Sequence, residues 1–231
     1  MKTTVSLEDW LIARGLTPME ADLWCDFIAD SLELMDDGHA LLRTSQEWMS
    51  FVSGCHGDNP TEPEITSGLG DRMRRLRNAA ALDSPRDRIQ ISYESPTPGD
   101  ESHGIRKSKA DFRFEKKFDA GVAVAFVVEA KPLRTPRDLT ARYLAAEGIG
   151  CFIDRQPPYS RDLAAGMVGY TLGRPRNWAT SLEKHLELGA GASRRARVHI
   201  TPGKAALVSD HSRASVGLDT VTMIHSVLDF N

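Results

Sequence analysis

The chain has 231 residues, a formal net charge of −3, and 41% hydrophobic and 26% charged residues, the ordinary balance of a globular protein with a full core. It has neither an apolar run long enough to cross a bilayer nor a basic N-terminal flank followed by an apolar stretch, so we expect a cytoplasmic protein. The small negative charge is no signature of nucleic-acid binding, so a polyanion would have to be bound by local basic patches or through a cation.

Three cysteines, Cys25, Cys55 and Cys151, are far apart and form no CxxC pair. An odd number of isolated thiols suits a reducing compartment and argues against a zinc knuckle. We therefore expect each cysteine to be a small packing residue rather than a metal ligand or a nucleophile.

Residues 1–52 are predicted to form an N-terminal helical extension of a main domain that spans residues 53–231. Ser6 with Asp9, and Thr17 with Glu20, have the spacing of helix capping boxes. Apolar residues recur at helical spacing and include Leu7, Trp10, Leu11, Leu23, Phe27, Ile28 and Leu32. The default expectation is that this apolar stripe packs on the main domain.

Trp24 stands next to Leu23 and is expected to widen the apolar stripe toward solvent. That pattern is typical of a helix on which a second surface packs. It predicts a homodimer, or docking to a larger partner protein, through residues 1–50.

A loop over residues 54–63 is followed by a predicted helix over residues 64–82. The apolar face of this helix consists of Ile65, Leu69, Met73 and Leu76. A short strand is predicted from Ile89 to Glu94. Residues 95–108 are rich in turn formers and charges, so we expect them to form a mobile loop.

A predicted β-hairpin is the central feature of the chain. Residues 110–118 alternate apolar and polar side chains, as a half-buried strand does, and residues 122–128 are continuously apolar, as a strand buried on both faces is. Residues 119–121 then form a three-residue loop that ends in a left-handed glycine. This loop places Phe118 opposite Val122.

After the hairpin, residues 135–148 are predicted to form a helix that is capped at Thr135 and ends at Gly148. The core order of helix, three strands, helix and strand indicates an α/β domain with a mixed sheet. Later segments are predicted as strands over 166–172, 195–200, 205–209 and 220–230, and as a helix over 177–189.

Two short basic patches are candidates for contact with a polyanion. They consist of Arg72, Arg74, Arg75 and Arg77, and of Arg194, Arg195 and Arg197. A solvated helix face and a charged strand edge explain them at least equally well.

The hairpin register brings two carboxylates and a lysine together. Paired positions sum to 240, so Asp111 lies opposite Glu129 with Cβ atoms roughly 4.5–5.5 Å apart, and Lys131 shares their face. Neighbouring carboxylates repel each other unless a positive charge lies between them. A divalent cation resolves this conflict, and oxygen-only ligands favour Mg²⁺ or Mn²⁺ over zinc.

Such a cation polarises a phosphoryl oxygen and lowers the pKa of a bound water, and Lys131 can orient or help to deprotonate that water. The pattern therefore predicts a metal-dependent phosphodiesterase with Asp111, Glu129 and Lys131 as catalytic residues. The ordinary alternative is a cross-strand ion cluster at a sheet edge. A Glu-x-Lys triplet alone is a weak signal, because residues 115–117 form a second one.

Two segments, ADFRF and VVEAK, together resemble the signature of the PD-(D/E)xK nuclease superfamily. The aspartate of the first, Asp111, precedes the glutamate of the second, Glu129, by eighteen residues. The resemblance covers roughly residues 60–175 and includes the order strand, strand, helix, strand from Ile89 to Leu172. Ala110 stands where the name-giving proline would be, a common departure. The resemblance implies a restriction-endonuclease-like fold, a mixed β-sheet core flanked by helices, here with the N-terminal helical extension.

The family's pattern implies that Asp111 and Glu129 bind the metal, that the Ala130 carbonyl can join them, and that Lys131 serves the attacking water. The family often adds a glutamate from the helix before the sheet. The candidates here are Glu62 and Glu64.

Glu62 lies seven residues before Leu69, which places it on the helix face that packs toward the sheet. Glu64 lies three residues after Thr61, where a capping box uses it for structure alone. Glu62 is the better candidate, and both stay open. Glu94, which ends the first strand, could also approach the site, although a solvated strand end is more typical.

The resemblance implies a Mg²⁺-dependent endonuclease that hydrolyses phosphodiester bonds of DNA. Glycine-containing stretches at residues 148–150 and 166–170 are similar to those in nuclease-like proteins of bacterial defence loci, which suggests anti-phage defence. A catalytically silent nuclease-fold subunit that binds nucleic acid or a partner protein is the alternative. A third is an α/β protein with an ion cluster only. His225, in the apolar final strand, is expected to be a satisfied core histidine rather than a catalytic base.

Overall fold

The computed structural model describes residues 5–57, 59–101, 108–119, 121–173, 176–187 and 191–231. The strands are β1 (Val5–Ser6), β2 (Gln90–Pro96), β3 (Lys109–Asp119), β4 (Val122–Leu133), β5 (Ala164–Thr171), β6 (Ala192–Thr201), β7 (Lys204–Arg213) and β8 (Leu218–Asp229). The helices are α1 (Leu7–Ile12), α2 (Pro18–Leu42), α3 (Ser45–Ser53), α4 (Glu62–Asn78), α5 (Pro136–Asp138), α6 (Gly150–Ile153) and α7 (Trp178–Glu187). A π-helical turn, Leu139–Tyr143, follows α5 directly, and a 3₁₀ turn, Ala214–Val216, precedes β8.

One mixed sheet contains all of these strands, in the order β1-β6-β7-β8-β5-β4-β3-β2. β8, β5 and β4 are parallel neighbours at the centre, and β3 and β2 continue the sheet as antiparallel strands. The expected α/β class with a mixed sheet flanked by helices is confirmed.

Helices cover both faces of the sheet. On one face, Trp10 of α1, Phe27 of α2 and Leu69 of α4 belong to one core cluster, which also contains Phe112 of β3. On the other face, Tyr143 of the π-helical turn and Trp178 of α7 belong to a second core cluster. Among the described residues, no helix has both the length and the apolar character needed to span a membrane.

Both predicted capping boxes mark helix starts, although only the one at α2 has both of its reciprocal contacts. The backbone N–H of Asp9 donates to the Ser6 hydroxyl at 3.0 Å at the start of α1. At α2, the Thr17 backbone N–H donates to the Glu20 carboxylate at 2.9 Å, and the Glu20 N–H donates to the Thr17 hydroxyl at 3.3 Å. These contacts satisfy backbone donors that the first turn of a helix leaves without partners.

The N-terminal helices share one core with the sheet. Trp24 is 5% exposed and packs edge-on against Phe118, with ring centroids 5.5 Å apart. The expectation that Trp24 widens the apolar stripe toward solvent is therefore wrong, because the hairpin supplies the ring that covers it. Trp10 also anchors α1, since its indole N–H donates to Asp210 Oδ1 on β7 at 3.0 Å. The default expectation, that the stripe packs on the main domain, agrees with this packing.

The register of the β3–β4 hairpin is as predicted over most of its length. Phe112 pairs with Val128, and pairs summing to 240 continue to Lys117. Gly121 adopts the expected left-handed conformation with φ +86°. The prediction that Phe118 faces Val122 is wrong, because the register shifts after Lys117 and Asp119 pairs with Val122 instead. Ala120 of the predicted loop lies outside the described residues.

The helix predicted over residues 135–148 is shorter than expected. It runs through α5 into the π-helical turn and ends at Tyr143. The following turn folds back so closely that a Cβ at Gly148 would lie 2.2 Å from the Tyr143 carbonyl oxygen. The glycine is therefore required by the tight turn after the helix and does not itself end the helix.

Other boundaries differ by a few residues. β2 runs on to Pro96, and β6 and β7 extend beyond their predicted ranges because they pair along almost their whole length. Residues 102–107 of the predicted loop and residues 188–189 of the predicted last helix lie outside the described part of the chain. The three cysteines are free thiols, as expected.

Candidate metal centre

Four charged side chains from three elements converge near the C-terminal end of β4. Asp111 extends from β3, Glu129 and Lys131 from β4, and Glu62 from the first turn of α4. Carboxylate oxygens of Glu62, Asp111 and Glu129 lie within 4.8 Å of one another. Lys131 Nζ lies 2.6 Å from Glu129 Oε1 and 3.2 Å from Glu62 Oε1. The hairpin and one helix start thus assemble a cluster of three acids and one base.

The structure brings Glu62 to this cluster and keeps Glu64 away from it. Glu64 closes the capping box of α4, where the Thr61 backbone N–H donates to its carboxylate at 2.8 Å. The other oxygen of Glu64 accepts the His56 backbone N–H at 2.8 Å. These backbone donors lower the pKa of Glu64 to about 2. Of the two candidates left open by the sequence, Glu62 is the one beside Lys131.

Asp111 is held by two hydrogen bonds. The Ala130 backbone N–H donates to Asp111 Oδ2 at 2.7 Å, and the Thr66 hydroxyl donates to Oδ1 at 3.3 Å. Burial raises the pKa of Asp111 to about 6, against the opposing effects of Lys131 and of the Ala130 N–H. Burial thus destabilises the ionised carboxylate of Asp111, and the two hydrogen-bond donors offset part of that destabilisation.

Glu129 has a buried carboxylate oxygen that lacks a hydrogen-bond partner among the described residues. The residue is 5% exposed, and Oε1 accepts the Lys131 ammonium, but Oε2 is buried without a hydrogen bond to any described residue. Burial, followed by the neighbouring Asp111, raises the pKa of Glu129 well above its usual range. A buried carboxylate oxygen without a donor is costly, and a cation would satisfy it.

Lys131 supplies the positive charge of the cluster. Burial opposes its charged form, but Glu129 and then Glu62 outweigh burial and raise the pKa of the ammonium. The lysine is therefore protonated across the neutral range and bridges two carboxylates.

The donor set fits a hard divalent cation. All of its side-chain ligands are carboxylates, and Mg²⁺ is held in proteins by one or two carboxylates while keeping several waters. Asp111 and Glu129 meet that requirement, with Glu62 beside them. The free Oε2 of Glu129 is the observation from this structure that favours such an ion over a purely structural ion cluster.

A polar cleft of about 610 Å³ opens beside the cluster. Its wall is formed by the start of α4 and by the α5 and π-helical segment. The lining residues are Glu62, Lys131, Arg137, Asp138, Ala141, Arg142 and Glu147. Arg137 and Arg142 are exposed in this cleft, and Arg142 Nε lies 3.7 Å from Asp138 Oδ1 on the same wall.

Replacing Glu129 by glutamine is expected to stabilise the metal-free protein at neutral pH. A carboxyl group with a raised pKa in the folded state contributes favourably at low pH, and this contribution is lost as the pH rises through the folded pKa. Glutamine does not ionise, so the variant avoids this loss of stability, and its amide oxygen can still accept the Lys131 ammonium. We expect the variant in EDTA to melt about 2–4 °C above wild type at pH 8, for a relief of about 1 kcal/mol.

The same comparison at pH 4 provides the control for this prediction. There the carboxyl group is protonated in the folded chain, where its pKa is raised, and largely protonated in the unfolded chain, so the two melting temperatures should approach each other. A difference that is constant from pH 4 to pH 8 would mean that packing, and not charge, separates the two proteins.

Two other sequence candidates lie outside the cluster. Glu94 is exposed at an irregularity of β2, where its φ is +48°. His225 is buried on β8, between the hydroxyls of Tyr143 at 3.2 Å and Ser209 at 2.8 Å. Burial lowers the pKa of His225 to about 3. The prediction of a satisfied core histidine is confirmed.

The basic patches are largely engaged in contacts within the chain. On α4, Arg72 and Arg75 both pair with Glu47, at 2.8 and 2.7 Å. Near β6, the guanidinium of Arg194 lies 3.7 Å from the ring centroid of Trp10. The structural interpretation of the patches therefore accounts for these three arginines.

Sequence reasoning missed two hydroxyl groups next to the cluster. Thr66 follows Glu62 by four residues, which puts both on one face of α4, so helical spacing offered a signal for it. Tyr170 carried no such signal, because its place depends on the parallel pairing in which it lies beside Pro132.

No family model, no curated protein and no solved structure matches this chain. The assignment of a function therefore depends on the geometry and chemistry of this cluster.

Proposed function

We propose that the protein is a Mg²⁺-dependent endonuclease that hydrolyses phosphodiester bonds of DNA, with a PD-(D/E)xK site on a restriction-endonuclease-like fold. The observation that carries the proposal is the convergence of Asp111, Glu129 and Glu62 around Lys131, with one buried carboxylate oxygen of Glu129 lacking a donor. The order α4, β2, β3, β4, helix and β5 supports the fold assignment.

Asp111 and Glu129 are the proposed metal ligands, and the Ala130 carbonyl is a proposed third. In a strand, the N–H and C=O of one residue point toward the same neighbouring strand. The Ala130 N–H reaches Asp111 on the β3 side, so its carbonyl is directed to that side too. When bound, Mg²⁺ would polarise a phosphoryl oxygen and make a neighbouring water more acidic.

Lys131 is proposed to orient the attacking water and to offset the negative charge that develops on the phosphate. Its ammonium is held between Glu129 and Glu62, so its position is set before substrate binds. The raised pKa argues that Lys131 acts as a cation, with proton removal from the water left to a carboxylate such as Glu62.

Arg137 and Arg142 are proposed to hold the phosphates that flank the scissile bond. Both line the cleft beside Lys131 and are exposed. Guanidinium groups bind phosphate through paired hydrogen bonds, which fixes the backbone without reading its sequence.

The test is incubation of the metal-stripped, full-length protein with supercoiled plasmid, linear DNA and RNA in Mg²⁺, Mn²⁺ or EDTA. We expect conversion of the plasmid with Mg²⁺ or Mn²⁺ and none with EDTA. Cleavage of RNA alone would overturn the choice of DNA. If no substrate is cut although the metal binds, the alternative of a silent nuclease-fold subunit is favoured, and a gel-shift assay with the same DNA then tests it.

The same assay bears on assembly. One such site cuts one strand, so linear product would support the proposed homodimer, or a larger partner, and nicked circles would support a single site. Light scattering of the full chain measures the oligomeric state directly.

The proposed role in cytoplasmic anti-phage defence rests on the glycine-containing stretches alone, and phage plaque counts on bacteria expressing wild type or Glu129→Gln test it.

A further inference from the structure

Two hydroxyl groups form a buried chain that ends on Asp111. Tyr170, on β5, and Thr66, on α4, are both fully buried. The Tyr170 hydroxyl lies 3.2 Å from Thr66 Oγ1, and Thr66 Oγ1 lies 3.3 Å from Asp111 Oδ1. The chain thus links a helix, the central strand and the hairpin at the candidate site.

The chemistry of the groups gives this chain a direction. An ionised carboxylate only accepts hydrogen bonds, so the single hydroxyl proton of Thr66 is directed to Asp111. The Thr66 oxygen is then free to accept, and the Tyr170 hydroxyl donates to it. The order of donation is Tyr170 to Thr66 to Asp111.

Both carboxylate oxygens of Asp111 are therefore held in place by hydrogen bonds from within the protein. The Ala130 N–H holds Oδ2 at 2.7 Å, and the hydroxyl chain holds Oδ1. Glu129 differs, because its Oε2 has no donor among the described residues. Of the two proposed ligands, Asp111 is the one with both carboxylate oxygens held by hydrogen bonds before any ion binds, whereas Glu129 is held at Oε1 alone.

We infer that Thr66 and Tyr170 are positioning residues of the metal centre, which act by holding Asp111 in the orientation that binds Mg²⁺; this inference rests on the proposed function. Groups that orient metal ligands reduce the ordering required when the ion binds, and their loss typically lowers metal affinity or activity by about 10–100-fold.

The experiment compares Mg²⁺ dissociation constants, measured by calorimetry on the full, metal-stripped chain, and kcat at saturating Mg²⁺. Thr66→Val keeps the shape but removes the hydroxyl, and we expect its Mg²⁺ affinity to fall by about tenfold or more. Tyr170→Phe should lower the affinity less, because the Thr66 donor remains. Thr66→Ser should restore the affinity to near that of wild type. Saturating Mg²⁺ should recover most of kcat in each variant.

Two matched controls separate positioning from general stability. Thr222→Val removes a hydroxyl that donates to another buried carboxylate, Asp210 Oδ1, at 2.7 Å. Tyr143→Phe removes a buried phenol hydroxyl that donates to the Met167 carbonyl at 3.0 Å. Both are expected to lower the melting temperature and leave the Mg²⁺ dissociation constant unchanged.

The outcomes distinguish this inference from the proposed function. If wild type binds Mg²⁺ and Thr66→Val binds it equally well, or if Thr66→Ser is as weak as Thr66→Val, positioning by the hydroxyl is overturned and the endonuclease proposal stands. If wild type binds neither Mg²⁺ nor Mn²⁺, both are overturned. Should Thr66→Val fail to fold, the comparison of Tyr170→Phe with Tyr143→Phe decides.

Discussion

Glu129→Gln is expected to abolish Mg²⁺-dependent cleavage of plasmid DNA while the chain stays folded. The substitution removes one ligand charge but keeps the size of the side chain and an oxygen for Lys131. Stabilisation of transition-state charge by a metal amounts to several kcal/mol, so we expect the rate to fall by about 10³-fold or more. Initial rates of plasmid conversion, with circular dichroism as a check of folding, measure this effect.

The matched control for this prediction is Glu115→Gln. Glu115 begins the second Glu-x-Lys triplet of the chain and lies on the same hairpin, where it pairs with Arg113 at 2.9 Å. Its loss should leave the cleavage rate within about twofold of wild type, because changes at surface pairs are small. An active Glu129→Gln protein would falsify the assignment of the site.

Asp111→Ala and Lys131→Ala should also lose cleavage, for different reasons. Asp111→Ala removes a ligand, so metal binding is lost with activity. In Lys131→Ala, the ammonium no longer competes for Glu129 Oε1, so Mg²⁺ should bind at least as tightly as in wild type although cleavage stops. Calorimetry with each variant separates the two roles.

The hairpin and its carboxylates were predictable because local signals agreed there. Alternation over residues 110–118, continuous apolar character over 122–128 and a glycine at position 121 leave one pairing that buries the right faces. That pairing places Asp111 beside Glu129. Thr61, three residues before Glu64, likewise predicts which glutamate caps α4 and leaves Glu62 for the site.

Features that depend on long-range packing were not predictable in this way. Trp24 is covered by Phe118, which lies on a hairpin more than ninety residues further along the chain. Tyr170 reaches Thr66 only because β5 pairs in parallel with β4 after a crossover of about thirty residues. A pattern within one segment contains no information about such a register.

The end of the helix after the hairpin is another feature that the sequence did not predict correctly. Thr135, Pro136 and Gly148 are ordinary start and stop signals, yet the helix widens into a π-helical turn and ends at Tyr143. The Leu144 N–H donates to the Leu139 carbonyl at 2.9 Å, which adds one residue to the turn. The turn faces the cleft with Ala141 and Arg142. π-helical turns often occur at functional sites, in keeping with the proposed role of Arg142.

Mg²⁺ is expected to raise the melting temperature of wild type and leave that of Asp111→Ala unchanged. A ligand that binds only the folded chain stabilises it by about 2.7 kcal/mol at one hundred times its dissociation constant. For a chain of this size, that corresponds to a rise of about 5–10 °C. Thermal melts in EDTA and in excess Mg²⁺, with NaCl added to equal ionic strength, measure the shift and remove the effect of charge screening.

The size of this shift should depend on pH in a defined direction. Because burial raises the pKa of Asp111 to about 6, the carboxyl group is protonated at pH 5, and Mg²⁺ must displace the proton in order to bind. The rise in melting temperature should therefore be small at pH 5 and grow as the pH is raised to 8. Equal shifts in wild type and Asp111→Ala would place the metal elsewhere, and a shift that is larger at pH 5 than at pH 8 would contradict carboxylate ligation.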